Sequence, residues 1–328
     1  MISAVKKKHI SLLKIAIALV PFAFSACLIA SEIDTGLNLP ATKGTSNAGN
    51  FEPGVFPFDY APKIRQGIVD SHFTHLRLSL NVETAHDARA LEQLESLAAL
   101  TGFHGILCMW DTNQGDETGH GNGLPNDLDA LAAAWKSVHA KFSPYPHLRY
   151  EIFNEPFGYP RNAQAARRYL ADMRRIIEKA GLPKERCILD GLGYADNVRL
   201  VAEAGWTGTL AYHIYPNWLP GRNNSASDYA ALMESELANL SNEILITEFG
   251  TNLKLQGYSD SSTKGSASLF LGMRQAISTL NQKGARITGT YHWHGWDNGD
   301  SYSYWHPDNT AGSTFVQELQ QDLKSISE

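Results

Sequence analysis

Short apolar segments alternate along the chain with longer segments that carry apolar residues at helical spacing. Residues 74–80 (Thr-His-Leu-Arg-Leu-Ser-Leu) and 243–248 (Glu-Ile-Leu-Ile-Thr-Glu) are two of the short segments. Apolar residues recur at the period of a helix in residues 88–100, 162–180 and 267–282. This alternation predicts strands joined by helical crossovers, which is the arrangement of a parallel sheet.

Eight strands are predicted, and the residue that ends each strand can be read from the pattern. These residues are Leu39, Leu80, Trp110, Asn154, Gly191, Tyr215, Glu248 and Trp293. Eight strands alternating with helices predict an α/β protein whose single domain is a closed (β/α)₈ TIM barrel, here assigned to residues 27–328. An open doubly wound sheet usually has a glycine-rich phosphate loop after its first strand, and we find none.

The first 26 residues are interpreted as an export signal. Three lysines at positions 6–8 precede an apolar segment over residues 10–30, followed by small residues suited to cleavage. Lys14 and Pro21 make this segment short for a membrane-spanning anchor. We therefore expect the protein to be secreted or extracytoplasmic, in the periplasm, at the outer membrane or outside the cell.

The chain has three cysteines. Residues 24–27 (Phe-Ser-Ala-Cys) resemble a bacterial lipoprotein box, in which Cys27 would carry a lipid anchor. Cys108 and Cys187 are predicted on strands that are not neighbours, so we expect two buried thiols rather than a disulfide.

Composition narrows the class of partner. Removal of the first 26 residues takes away four lysines and no acidic residue, which moves the net charge from −6 to −10. A protein this acidic repels nucleic acid, so we expect no nucleic-acid partner. We also expect a monomer. Seven tryptophans and thirteen tyrosines favour a groove for flat, partly apolar ligands such as sugar rings.

Two glutamates are predicted at the end of the barrel where active sites form, the C-terminal ends of the strands. Glu155 follows the fourth strand in residues 150–156 (Tyr-Glu-Ile-Phe-Asn-Glu-Pro), and Glu248 ends the seventh in residues 246–250 (Ile-Thr-Glu-Phe-Gly). Two facing carboxylates are the minimum machinery for glycoside hydrolysis, and the gap between them decides between retention and inversion. Sequence alone leaves that gap open.

The order of motifs along the strands resembles glycoside hydrolase family 5, the cellulase family of retaining (β/α)₈ glycosidases. The matching residues are Arg77 on strand two, Asn154-Glu155-Pro156 on strand four, His213 and Tyr215 on strand six, Glu248 on strand seven, and Trp293 or Trp296 on strand eight. The resemblance covers nearly all of the chain after the export signal.

For the nucleophile, this resemblance implies Glu248. Arg77 would lie near it and lower its pKa, because a nearby positive charge favours the ionised carboxyl group. Tyr215 would hold and orient it.

For the proton donor, the resemblance implies Glu155 as general acid/base. Its pKa should be raised by enclosure and by a negative neighbour. His213 would support it, and Asn154 would hydrogen-bond the sugar 2-hydroxyl group.

Tryptophans are predicted at strand ends or in the loops that follow, where several should stack on sugars. They are Trp110, Trp218, Trp293, Trp296 and Trp305. The family usually has a histidine at the end of strand three, where this chain has Trp110 or Asp111. This difference leaves the preferred sugar open.

These features together predict a secreted retaining endo-β-1,4-glucanase that needs no cofactor and whose partner is a polysaccharide. A β-mannanase, xyloglucanase or β-1,3-glucanase on the same site is the alternative among enzymes. A catalytically silent glycan-binding barrel and a zinc hydrolase built on His292 and His294 are alternatives of other classes.

Overall fold

The computed structural model describes the chain over residues 33–39, 62–110, 122–125, 127–220, 224–254, 266–295 and 301–326. These residues belong to one compact unit, Ser31–Glu328. Its eight parallel strands form a closed barrel in the order β1 to β8, with helices between the strands. The predicted α/β class and (β/α)₈ barrel are confirmed.

Each strand pairs in parallel with the next, and β8 pairs with β1 to close the barrel. The strands are β1 Asp34–Leu39, β2 His75–Leu80, β3 Gly105–Met109, β4 Leu148–Glu151, β5 Cys187–Asp190, β6 Thr209–Ile214, β7 Glu243–Phe249 and β8 Arg286–His292. Every predicted strand end is right to within one residue except that of β4, which ends at Glu151 rather than Asn154. Beyond Glu151 the chain leaves the ladder, yet the Asn154 N–H still donates to the Met109 carbonyl oxygen at 2.8 Å.

Ten helices lie in the described residues: α1 Pro62–Val69, α2 Val82–Ala85, α3 Ala88–Ala98, α4 Leu128–Phe142, α5 Ala163–Ala180, α6 Leu192–Ala195, α7 Val198–Glu203, α8 Ala226–Leu237, α9 Ser266–Gln282 and α10 Thr310–Ile326. Local chemistry sets the ends of α5. The Asn162 side chain accepts from the Ala165 N–H at its start, and Gly181 ends it in the left-handed conformation. The part of the chain described here contains no helix that combines the length and apolarity needed to cross a membrane.

Buried side chains form two layers. The larger apolar layer lies between strands and helices, and includes Trp135 of α4, which is fully buried as predicted. A smaller cluster draws side chains from five strands, which can meet only inside the barrel: Ile106, Cys108, Ile188, Ala211, Leu245 and Tyr291. Cys108 and Cys187 are free and buried, whereas Cys27 lies outside the described residues. Above the inner apolar cluster the barrel is filled by polar groups, and these form the site.

Candidate active site

Glu155 and Glu248 meet at the C-terminal end of the barrel. Glu155 lies in the loop after β4, and Glu248 is the penultimate residue of β7. A carboxylate oxygen of each glutamate and a ring nitrogen of His213 all lie within 4.8 Å of one another. This spacing is in the range in which one carboxylate can attack the anomeric carbon directly, whereas inverting enzymes keep the two about 6.5–9.5 Å apart to admit water.

Glu248 is buried, and each of its carboxylate oxygens has its own donor. Arg77 Nη1 donates to Oε1 at 2.6 Å, and Tyr215 Oη donates to Oε2 at 2.7 Å. Burial nevertheless raises the pKa of Glu248 above its ordinary value, although His213, Arg77 and Tyr215 each act to lower it. Arg77 lowers this pKa as expected, but the loss of solvation on burial outweighs its effect.

Arg77 is fully buried and holds several groups in addition to Glu248. Its Nε and Nη2 form a bidentate pair with Glu151 at 2.8 and 2.7 Å. Nη2 also donates to Asn154 Oδ1 at 2.6 Å and to Cys108 Sγ at 3.0 Å, and Nη1 donates to Asn38 Oδ1 at 2.8 Å. One guanidinium group thus connects β1, β2, β3 and β4 to Glu248 on β7.

Glu155 has the surroundings of a proton donor. Its side chain is about 20% exposed, and its Oε1 lies 2.9 Å from His213 Nδ1. Burial raises the pKa of Glu155 to about 7; Arg77 opposes this shift, while the carboxylates of Asp196 and Glu151 add to it. A general acid works best with a pKa near the pH of the reaction.

His213 lies between the two glutamates. It is fully buried, and burial lowers its pKa to about 4, so the ring is neutral near pH 7. Its Nε2 lies 3.0 Å from Thr247 Oγ1. Because a hydroxyl group both donates and accepts, Thr247 suits either tautomer, so Nδ1 can donate to ionised Glu155 or accept from protonated Glu155.

A cleft of about 530 Å³ opens over the two glutamates. It is lined by Trp110, Glu155, Tyr194, Tyr215, Asn217, Trp218, Glu248, Trp293 and Tyr302. The rings of Trp110 and Trp293 lie nearly parallel, with centroids 6.0 Å apart, and Trp218 Nε1 donates to the His213 carbonyl oxygen at 2.9 Å. Both edges of the cleft therefore carry aromatic surface.

Two predicted tryptophans remain, Trp296 and Trp305. Trp296 lies outside the described residues, as does Asp111, so Trp110 alone is seen at the end of β3. Trp305 packs edge-on against Tyr304 and Phe73. Its role is therefore packing.

Three residues that line the cleft were missed by the sequence analysis: Tyr194, Asn217 and Tyr302. Tyr194 was the most accessible to prediction, because it lies a few residues beyond the predicted end of the fifth strand. Its ring is 44% exposed and stacks on Phe157, with centroids 5.0 Å apart. Asn38 and Asp190 were also missed as parts of the buried network.

His292 and His294 are both fully buried. His292 Nε2 lies 3.2 Å from the Tyr302 carbonyl oxygen. Among the described residues, the clusters with metal-ligand spacing are Glu155–His213–Glu248 and Glu151–Asp190–His213, and neither contains the His-x-His pair. The zinc-hydrolase alternative finds no support in this arrangement.

A family model described as Cellulase (glycosyl hydrolase family 5) matches residues 63–302. Among solved structures, XacCel5A in complex with cellopentaose is similar with a TM-score of 0.59 at 16% identity, over 88% of this chain and 99% of that chain. A tri-modular GH5 (subfamily 4) endo-β-1,4-glucanase from Bacillus licheniformis has a TM-score of 0.57 at 18% identity, over 90% of this chain and 60% of that chain.

A third similar structure is endo-glycoceramidase II from Rhodococcus sp. in a cellobiose-like isofagomine complex. Its TM-score is 0.59 at 16% identity, over 88% of this chain and 79% of that chain. At such identities these likenesses show a shared fold. No curated protein sequence matches this chain.

Proposed function

Because this chain belongs to glycosyl hydrolase family 5, and so is a glycoside hydrolase of the endoglucanase-like kind, we propose that it is a retaining endo-β-1,4-glucanase. Glu155 is its general acid/base and Glu248 its nucleophile. The observation that carries this proposal is the approach of the two carboxylates to within 4.8 Å, with two donors on Glu248 and a raised pKa on Glu155.

In the first step the Glu248 carboxylate attacks the anomeric carbon, and the bond from that carbon to the leaving oxygen breaks. Protonated Glu155 gives its proton to the leaving oxygen. A covalent glycosyl ester forms on Glu248, and the leaving chain departs as an alcohol. His213 stays neutral throughout, with its Nδ1 2.9 Å from Glu155 Oε1.

In the second step water replaces the leaving chain. Ionised Glu155 takes a proton from water, and the oxygen of that water attacks the anomeric carbon and displaces Glu248. Glu155 ends protonated and Glu248 ionised, which restores the starting state. Two displacements at one carbon return the original configuration.

The groups around the pair supply orientation. Arg77 and Tyr215 hold the Glu248 carboxylate from two sides, so that it need not reorganise during attack. Asn154 Oδ1 is held by Arg77, which commits its amide Nδ2 to donation toward the sugar 2-hydroxyl group. The nearly parallel rings of Trp110 and Trp293 form the floor on which the sugar at the cleaved bond rests.

The choice of polymer rests on the aromatic cleft and on the relatives' substrates. An endoglucanase and a complex with cellopentaose are among the similar structures, which supports a β-1,4-glucan. Because Trp110 lies at the end of β3, where the family usually has a histidine, β-mannan, xyloglucan and β-1,3-glucan remain alternative substrates for the same two glutamates. A silent glycan-binding barrel is disfavoured, because it would have no use for the donors that hold Glu248.

The test is reducing-sugar release on a panel of soluble cellulose, mixed-linkage glucan, xyloglucan, glucomannan, mannan, xylan and laminarin. Wild type, Glu155→Ala and Glu248→Ala are compared, and proton NMR follows the anomer first formed. We expect cleavage of a β-1,4-glucan with the β anomer formed first, and near-complete loss in both variants. Binding without release in wild type would favour the silent barrel, and initial formation of the α anomer would contradict the double displacement.

We further propose that the chain is exported, with cleavage within the first 30 residues or lipidation at Cys27. The lysines at positions 6–8 and the apolar segment after them support export. Mass spectrometry of the N-terminus of protein expressed in a bacterium distinguishes an unmodified new terminus from a lipidated Cys27. An intact Met1 would contradict the proposal.

A further inference from the structure

Asp190, the last residue of β5, lies beneath Glu155 and is fully buried. Its Oδ2 accepts the backbone N–H of Glu155 at 2.8 Å. Glu155 itself has a φ of 45°, in the left-handed region that non-glycine residues rarely adopt. The hydrogen bond that Asp190 accepts from the Glu155 N–H therefore holds the acid/base residue in a backbone conformation that is otherwise unfavourable.

The other oxygen of Asp190 faces a second carboxyl group. A carboxyl oxygen of Asp190, one of Glu151 and a ring nitrogen of His213 all lie within 4.8 Å of one another, and two ionised carboxylates could not hydrogen-bond to each other. Asp190 Oδ1 is buried and has no hydrogen-bond partner among the described residues. Glu151 already accepts hydrogen bonds from Nε and Nη2 of Arg77. Among the described residues, no further cation therefore balances a charge on Asp190. A proton between the two carboxyl groups satisfies both of them.

We propose that Asp190 is a positioning residue for Glu155: its carboxyl group is protonated, donates to Glu151, and accepts the Glu155 backbone N–H. The neutral acid then links the Arg77–Glu151 ion pair to the backbone of the acid/base residue. Burial next to Glu151 raises the pKa of Asp190 well above its ordinary value, in agreement with this arrangement. The proposal rests on the acid/base role of Glu155 given above.

The titratable and charged groups around Asp190 come from several elements. They are Glu151 on β4, Arg77 on β2, Cys108 on β3, His213 on β6, Tyr169 on α5 and Glu155 after β4. Arg77 is the only permanent cation of this set, and it is shared between Glu151 and Glu248. A second ionised carboxylate at Asp190 would therefore stand uncompensated beside Glu151.

The test compares Asp190→Asn with Asp190→Ala. Asparagine has the shape of a protonated aspartate, so its Oδ1 can accept the Glu155 N–H while its Nδ2 donates to Glu151. We expect Asp190→Asn to keep kcat close to wild type, with the same apparent pKa on the basic side of the pH profile. Asp190→Ala should lower kcat by about 10²-fold with little change in KM, because it releases the acid/base residue from its position.

Two further measurements separate positioning from general damage. An aryl glycoside with a good leaving group needs little proton donation, so Asp190→Ala should lose much less rate on it than on a polysaccharide. Infrared spectra of the wild type at alkaline pH, where Glu155 is ionised, should show the carbonyl stretch of a protonated carboxyl group that Asp190→Asn lacks. The infrared result does not depend on activity, so it holds even if the proposed function fails.

Four outcomes would overturn the proposal. If Asp190→Asn is as inactive as Asp190→Ala, or if it shifts the basic pKa, the charge of Asp190 is required. Absence of the protonated carboxyl band would mean that Asp190 is ionised. A stoichiometric metal in the purified chain, lost in Asp190→Asn, would make the Glu151–Asp190–His213 cluster a cation site instead.

Discussion

Tyr215 Oη donates to Glu248 Oε2 at 2.7 Å, on the carboxylate oxygen opposite the one that Arg77 holds. The carboxylate is thereby prevented from rotating about its own axis. Since attack on carbon requires one oxygen at a defined distance and angle, this restraint is a contribution to rate and not to substrate affinity.

Tyr215→Phe should therefore lower kcat by roughly 10- to 100-fold while KM changes little. Tyr212→Phe is the matched control, since Tyr212 lies on β6 just before Tyr215 and is fully buried, with no hydrogen-bond partner for its hydroxyl among the described residues. Steady-state kinetics on one soluble β-glucan compares the two variants. Equal losses in both would assign the effect to packing.

The pH dependence follows from Glu155. It must be protonated to donate, and its pKa is about 7, so kcat/KM should fall about tenfold per unit as the pH rises above that value. In Glu155→Ala, assayed with an aryl glycoside that needs no proton donor, this fall should disappear. A basic limb that persists unchanged in the variant would assign it to another group.

The same pKa has a consequence for stability. Glu155 titrates at about 7 when folded and near 4.5 when unfolded, so the folded state binds more protons between these values and loses stability as the pH rises through them. Glu155→Gln removes this loss, and should be more stable than wild type by up to about 3 kcal/mol above pH 7.

Below pH 4.5 the same comparison should show little difference, because the wild-type carboxyl group is then protonated in both states. Urea unfolding at acid and alkaline pH measures the difference in free energy of unfolding between Glu155→Gln and wild type at each pH. A difference that is independent of pH would contradict the argument, since it would point to a change in packing.

Tyr194 provides a prediction about the leaving chain. It lines the cleft beside Glu155, and its exposed ring stacks on Phe157, two residues beyond the proton donor. Because the leaving group departs on the side of the acid, Tyr194→Ala should weaken stacking of that chain by ~1 kcal/mol, or raise KM about fivefold for long oligosaccharides. Val69→Ala changes an exposed apolar residue of α1 and is the control. An unchanged KM in Tyr194→Ala would place the leaving chain elsewhere.

Much of the fold could be predicted because its signals are local. The apolar segment that becomes β7 and the helical spacing that becomes α5 each depend only on neighbouring residues. The end of β4 was misplaced because apolar residues continue beyond Glu151 to Phe153, whereas ladder pairing stops at Glu151. Pairing is a property of two strands, and one strand's sequence does not contain it.

The site could be predicted in part for the same reason. Glu155 and Glu248 stand at strand ends, and the barrel rule places all strand ends together. Tyr194 could not be placed in the same way, since its position depends on the course of the chain after β5. The effect of Arg77 on the pKa of Glu248 was predicted in the right direction, but the net rise of that pKa was not, because a sequence does not show the depth of burial.

The sequence by itself determined the number and order of the strands, their alternation with helices, and the two carboxyl groups at the barrel mouth. These depend on periodicity and on the residue at each strand end, which are one-dimensional properties. Only the tertiary structure decided that the two carboxylates lie within 4.8 Å of each other, and that Arg77 forms ion pairs with both Glu151 and Glu248. It also decided the burial of Asp190 beneath Glu155. Distance and solvation arise only when residues far apart in the chain are packed together, and they determine which acid keeps its proton.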